Sequence, residues 1–253
     1  MIEKYPTLKD FGEDLKFNNE LGTHLAAEYC TDQCQDYHLK WIRRRVDEGD
    51  KSSPLITTPL LLSQFATGLL MRDFCAGTPI NILICGSADT KLLALVDFLL
   101  LSYGIYDHHC VSITVTDACM TPLKLCEAFA DGKRFKLILI HGLMPESIKG
   151  LNVDIALMSG VLQFIEKTAQ IRTLENIREN ITGGGFLVFS HSYKRISKAR
   201  DNANYGFSSV DEIKSLLHNC GLKLISEADA EFTLPFGQEG RKLRSRFAAV
   251  LSS

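Results

Sequence analysis

The spacing of apolar residues along the chain changes near Pro79. Before that point it is helical: Tyr37–Val46 (YHLKWIRRRV) and Leu60–Phe74 (LLLSQFATGLLMRDF) each predict a helix, separated by the polar break Asp47–Pro54. After it, short β-rich runs alternate with helices. The runs predict strands at Ile80–Cys85, Val111–Thr116, Phe135–Ile140, Val153–Met158, Phe186–Ser190, Leu222–Glu227 and Phe247–Leu251.

The intervening helices carry their own start and stop signals. Thr90–Tyr103 places Leu92, Val96, Leu99 and Leu100 on one face and stops at Gly104, a left-handed terminator. Thr121-Pro122 reads as a cap followed by proline at the first helical position, opening a helix that buries Leu125, Cys126 and Phe129. A further helix over Thr168–Ile181 is predicted to end at Gly183-Gly184-Gly185, and Ser209-Val210-Asp211-Glu212 is a capping box for one that ends near Cys220-Gly221. This regular alternation predicts an α/β fold: a doubly wound, mostly parallel seven-stranded sheet covered on both faces. The last two strands, joined by a segment containing Leu234-Pro235-Phe236-Gly237 with no helical pattern, supply an antiparallel edge. The sheet domain is expected over 79–253, behind a helical segment 1–78 acting as a lid or substrate cap. Arg241, Lys242, Arg244 and Arg246 precede the final strand and are expected to discourage edge pairing.

Composition narrows the function classes. The chain has 253 residues, of which 45% are apolar and 23% charged, the profile of an ordinary globular protein with room for one α/β domain and a small appendage. Its 28 Lys and Arg stand against 30 Asp and Glu, so no global positive field exists to hold a polyanion, and nucleic acid is not expected as a partner. Met1–Phe17 is charged and has no apolar core of a secretory signal. The most apolar helical stretch, Leu92–Ser102, is interrupted by Asp97 and is roughly half of the ~20 residues that cross a bilayer. A cytoplasmic protein without a membrane partner is therefore expected. Its eight cysteines read as reduced core residues, and the close pair Cys30 and Cys34 has no second pair or histidine at zinc-site spacing, so no metal is expected.

In open parallel sheets ligands gather at the carboxyl ends of the strands. After the first strand comes Cys85-Gly86-Ser87-Ala88-Asp89-Thr90, in which Gly86 permits close backbone approach and the helix start offers N–H groups to a carboxylate or phosphate. It lacks the spaced glycines of a dinucleotide fingerprint. After the second strand comes Thr116-Asp117-Ala118-Cys119, where a carboxylate is placed to accept from both hydroxyls of a ribose diol. The interval between the two exceeds the usual ~20 residues; the helix Thr90–Tyr103 and the loop Asp107-His108-His109 account for the excess.

The succession ILICGSADTKLLALV, VSITVTDACMTPLKLCEAFA, NVDIALMSGVLQFI and LENIRENITGGGFLVFS resembles the class I S-adenosylmethionine-dependent methyltransferases, whose fold is Rossmann-like. GSADT paired with TDACMTPLKLC is similar to a little-described bacterial branch of that superfamily. The resemblance implies S-adenosylmethionine as cofactor. Gly86, Ser87, Ala88 and Asp89 would lie under its methionine part, and Asp117 would take the ribose hydroxyls. Ala118 and Cys119 would border the adenine, whose other side Gly142, Leu143 and Met144 of the loop opened by His141 would cover. Ser159 and Gly160 would line the sulfonium and the approach of the substrate. Four positions depart: Ala88 and Thr90 stand where the superfamily has glycines, Ile84 where it has an acid, and Leu143 at another acidic position.

On that resemblance the expected activity is methyl transfer to a small-molecule acceptor by in-line displacement. His191, just past the fifth strand, is the expected base where the acceptor must lose a proton, with His141 and Tyr193 as alternatives. Arg43-Arg44-Arg45 and Lys194, Arg195, Lys198 and Arg200 are either solvated faces or contacts for an anionic group. Two other classes remain open: a catalytically silent Rossmann-like binding protein, and a nicotinamide-dependent oxidoreductase. A homodimer through the N-terminal helices is also expected.

Overall fold

The computed structural model describes residues 54–72, 74–87, 90–193, 207, 209–233 and 243–253. The helix at Tyr37–Val46, the Cys30 and Cys34 pair, the dimerising N-terminal helices, Arg43–Arg45, Ala88, Asp89, Lys194, Arg195, Lys198, Arg200, Leu234–Gly237, Arg241 and Lys242 all lie outside the described residues.

Among the described residues, α1 spans Pro54–Met71, β1 Ile80–Cys85, α2 Lys91–Ser102, β2 Val111–Asp117, α3 Met120–Phe129 and β3 Lys136–His141. Then follow β4 Val153–Ser159, α4 Lys167–Asn180, β5 Ile181–Tyr193, α5 Val210–Asn219, β6 Lys223–Thr233 and β7 Leu243–Ser252. The strand order is β3-β2-β1-β4-β5-β7-β6, a seven-stranded sheet. None of these helices is long and apolar enough to cross a membrane.

The chain forms two compact units, one containing Phe74–Leu143 and the other Ser52–Asp73 with Met144–Ser253. In the first, β1, β2 and β3 are parallel, with Cys85 opposite Thr116 and Asp117 opposite His141. Ile80 and Ile82–Cys85 are all fully buried, the signature of a parallel strand covered on both faces. Helix α2 buries more than the one face its spacing predicts, since Leu93, Ala94 and Leu95 are buried beside Leu92, Val96, Leu99 and Leu100. Gly104 ends that segment as expected, at φ +66°. Asp97 is 4% exposed within α2, and its charge is met by the Tyr106 hydroxyl (2.8 Å) and Lys133 Nζ (3.4 Å). Burial, and then the Asp97 charge, push the Tyr106 hydroxyl above its ordinary pKa. Helix α3 starts earlier than predicted: Cys119 is its N-cap and Pro122 lies within its first turn, where a missing N–H forfeits no helical bond.

In the second unit, β4 and β5 are parallel while β7 runs antiparallel to both β5 and β6. Helix α1 begins at Pro54, which the sequence pattern placed in a break; proline suits a first helical position because its N–H would have no partner there. The helix approaches the sheet closely at Gly68, where a Cβ would collide with the Phe186 ring, and Phe65 meets the same ring edge-on at 6.1 Å. The Ser209 hydroxyl accepts from the Glu212 N–H (3.2 Å), as the capping box requires.

Two expectations fail here. Gly183–Gly185 does not terminate a helix: α4 stops at Asn180 and β5 starts at Ile181. Gly185 lies in the register break where β5 runs beside β4, and a Cβ there would stand 2.6 Å from the Asp154 carbonyl. Nor is the final strand an edge. β7 is hydrogen-bonded on both sides and the edge beside it is β6, so Arg244 and Arg246 have no open edge to protect.

Candidate functional site

The carboxyl ends of β1, β2 and β3 are joined by short hydrogen bonds within the first unit. Gly86 leaves β1 with φ +68°, a conformation that disfavours side chains, and donates its N–H to the Thr116 carbonyl (2.8 Å). Gly142 leaves β3 and donates to the Asp117 carbonyl (3.0 Å). The two glycine exits thus flank the tip of β2.

Asp117 ends β2 half-buried, and its Oδ1 accepts from the Cys119 N–H (2.8 Å) in a local turn that fixes the carboxylate at the strand tip. His141 Nε2 donates to the Ala118 carbonyl (3.2 Å); a carbonyl can only accept, so this nitrogen carries the proton. Leu143, at the mouth of the loop after β3, is 71% exposed. Ser87 is turned inward, its Oγ 3.4 Å from Cys126 Sγ on α3, which leaves its backbone as the part facing the turn. Burial pushes the Cys85 thiol up to about 12, so it remains protonated at neutral pH and is no nucleophile.

Thr116 is a residue that sequence reasoning passed over. It is completely buried, and its Oγ1 has no hydrogen-bond partner among the described residues. A buried hydroxyl in that state costs about 1–3 kcal/mol. Thr116→Val keeps the shape and removes the group, so it is expected to stabilise the fold by about 1 kcal/mol, read as a higher melting temperature. A lower one would show that the hydroxyl is bonded in solution. Strand alternation predicts that Thr116 points inward, but no local signal says whether an acceptor waits there.

The other expected residues belong to the second unit. Gly160 leaves β4 as Gly86 leaves β1, with φ +67° and its N–H on the carbonyl of the next strand, here Ser190 (2.8 Å). The Ser159 and Ser190 hydroxyls at these tips are 3.3 Å apart. His191 is 1% exposed and meets two rings edge-on, Phe207 at 4.7 Å and Phe189 at 6.1 Å. Tyr193 instead donates its hydroxyl to Asp229 of β6. Phe207 forms a parallel bridge with Tyr193. Since β7 already occupies one side of Tyr193, Phe207 takes the side of β5 along which β4 runs, past the point where Ser159 pairs with Ser190. Among the described residues no group of three or more His, Cys, Asp or Glu is placed to hold a metal.

No protein-family model matches the chain, and no curated protein does. Solved structures do match. An S-adenosylmethionine-dependent methyltransferase from Leishmania major superposes with a TM-score of 0.55, covering 92% of this chain and 82% of its own at 10% identity. The N-methyltransferase NodS from Bradyrhizobium japonicum, solved with S-adenosyl-L-homocysteine, gives 0.51 over 79% and 89% at 17% identity. The chain has the fold of the class I S-adenosylmethionine-dependent methyltransferases. At such identities the likeness is one of fold, and the [4+2]-cyclase SpnF shares it too, with a TM-score of 0.51 over 78% and 79% at 10% identity. Activity must therefore be argued from the site itself. In the first unit the candidate site is the tip of β2 between its two glycine exits.

Proposed function

We propose that the chain is an S-adenosylmethionine-dependent methyltransferase acting on a small-molecule acceptor. One observation carries the reading: Asp117, held by the Cys119 amide, ends the strand beside the Gly86 turn, with Cys85 and Thr116 in register between them. The donor set fits the cofactor. A carboxylate accepts several hydrogen bonds at once, so the bond from Cys119 is compatible with a ribose diol. An exposed leucine, Leu143, one residue past the Gly142 N–H that binds the Asp117 carbonyl, suits the face of an adenine ring, which would cover it.

On this reading Gly86, Ser87, Ala88 and Asp89 hold the methionine part. Asp117 holds the ribose, while Ala118, Cys119, Gly142, Leu143 and Met144 enclose the adenine. S-adenosylmethionine supplies a sulfonium methyl group already activated for displacement. The protein's task is then to hold the acceptor about 3 Å away, aligned and dry. Ser159 and Gly160 line that approach. His191, enclosed by Phe189 and Phe207, takes a proton from an acceptor that must lose one. The near-balance of charge favours a small acceptor over nucleic acid. Cys75, Cys85, Cys110, Cys119, Cys126 and Cys220 are all free thiols, which favours the reducing cytoplasm.

Calorimetry with S-adenosylhomocysteine, and with NADH in parallel, tests the reading. Heat from the first alone is expected, followed by transfer of labelled methyl from S-adenosylmethionine into a small-metabolite extract. Heat from NADH alone would point to an oxidoreductase, and silence in both would leave a binding scaffold. A second reading, in which the fold is kept without methyl transfer, is favoured by Ala88 and Thr90 in place of the superfamily's glycines; binding without transfer would select it.

A further inference from the structure

The two outer strands are built differently. Among the described residues β6 pairs only with β7, and it carries the features that keep an edge solitary: a register shift between Leu224 and Ser226, and the charged residues Lys223, Glu227, Asp229 and Glu231. Among the described residues β3 pairs only with β2; it has no register shift, and its one lysine, Lys136, stands at its start. Its register is unbroken from Ser112 opposite Lys136 to Asp117 opposite His141, and its centre, Leu137–Ile140, reads Leu-Ile-Leu-Ile. None of its residues is buried, and Ile138 is 39% exposed. The chain leaves β3 for β4 through one short 3-10 turn, Glu146–Ile148, so no crossover helix follows it. A regular edge whose centre is aliphatic and uncharged is what proteins normally avoid exposing.

We infer that β3 is a dimer interface, pairing antiparallel with β3 of a second copy across a twofold axis normal to the sheet. The occupant must be a strand, because only a strand answers the alternating N–H and C=O groups of an open edge. A second copy fits because the sequence complements itself. Residues directly opposite in an antiparallel pair point to the same face, so a twofold on Ile138 sets Ile138 against Ile138 and Leu137 against Leu139. Lys136 then lies beside Ile140, which its aliphatic stem covers while the ammonium reaches water. No carboxylate enters the interface and no like charges face each other. Four aliphatic residues per copy, half-exposed in one chain, are covered in the pair.

The test is the mass of the full chain by sedimentation equilibrium from about 1 to about 100 µM, a range over which mass action reveals a reversible dimer. Wild type is expected to approach twice 28.2 kDa, and Ile138→Lys, which sets two ammonium groups together on the axis, to return to 28.2 kDa with a wild-type circular dichroism spectrum. A wild type that stays at 28.2 kDa, or an Ile138→Lys variant as dimeric as wild type, overturns the inference. Should that variant fail to fold, hydrogen exchange on wild type decides. Amides 136–141 are expected to gain protection as concentration rises while those of β6 do not, and equal behaviour at both edges overturns it.

Discussion

Asp117→Ala is expected to weaken S-adenosylhomocysteine binding by about 1.5–3 kcal/mol, or roughly 10- to 150-fold, the scale of losing charge-assisted hydrogen bonds. The effect is large because the carboxylate is placed in advance. The Cys119 amide fixes its Oδ1 at 2.8 Å, and the Gly142 N–H holds the backbone of the same residue at 3.0 Å. Little ordering remains to oppose binding. Asp117→Asn separates the two parts of the argument, since an amide oxygen preserves the turn with Cys119 but carries no charge. It should lose less than alanine does. Calorimetry on variants with wild-type circular dichroism reads the result. A folded alanine variant with unchanged affinity would remove Asp117 from the site.

Gly185→Ala is expected to give the largest loss of stability, about 2–4 kcal/mol, because the added methyl group meets backbone rather than a movable side chain. The new Cβ would stand 2.6 Å from the Asp154 carbonyl and 2.9 Å from that of Thr182, both held at the register break between β4 and β5. The same ground is held by the half-buried Arg72, which binds Asp154 Oδ1 at 2.7 Å and its carbonyl at 3.0 Å, and by the Thr182 hydroxyl at 2.9 Å. Moving that carbonyl would disturb all of these together. For a chain of this size the melting temperature should fall by roughly 5–15 °C. Gly183→Ala is the control: nothing lies within 4 Å of its Cβ position, so it should change stability little. A Gly185→Ala variant that melts with wild type would show that the strands part more easily than their packing implies.

The third strand shows what periodicity reports. Leu137–Ile140 reads as a strand, and is one, but the same pattern suits a strand buried at the centre of a sheet and one lying half-exposed at its edge. The final strand shows the converse, since basic residues before Phe247 suggested an edge and hydrogen bonding on both sides gives an interior strand. Pro122 and Gly183–Gly185 show a related limit: each is a strong local signal, but the proline falls inside the first turn of α3 and the glycines fall inside β5.

By itself the sequence determined the alternation of strands and helices, the bounds of β1, the caps at Gly104 and Ser209, and the order of glycine turn and acid that makes residues 86 and 117 candidates. These are local properties, set by side-chain period and by which backbone angles a residue tolerates. Only the tertiary structure decided that Cys85 lies opposite Thr116 and Asp117 opposite His141, that the Thr116 hydroxyl has no partner among the described residues, that Phe207 reaches His191, and which strands close the sheet. Those facts depend on hydrogen bonds and contacts between residues far apart in the chain, and a strand's own pattern of burial does not name its neighbour.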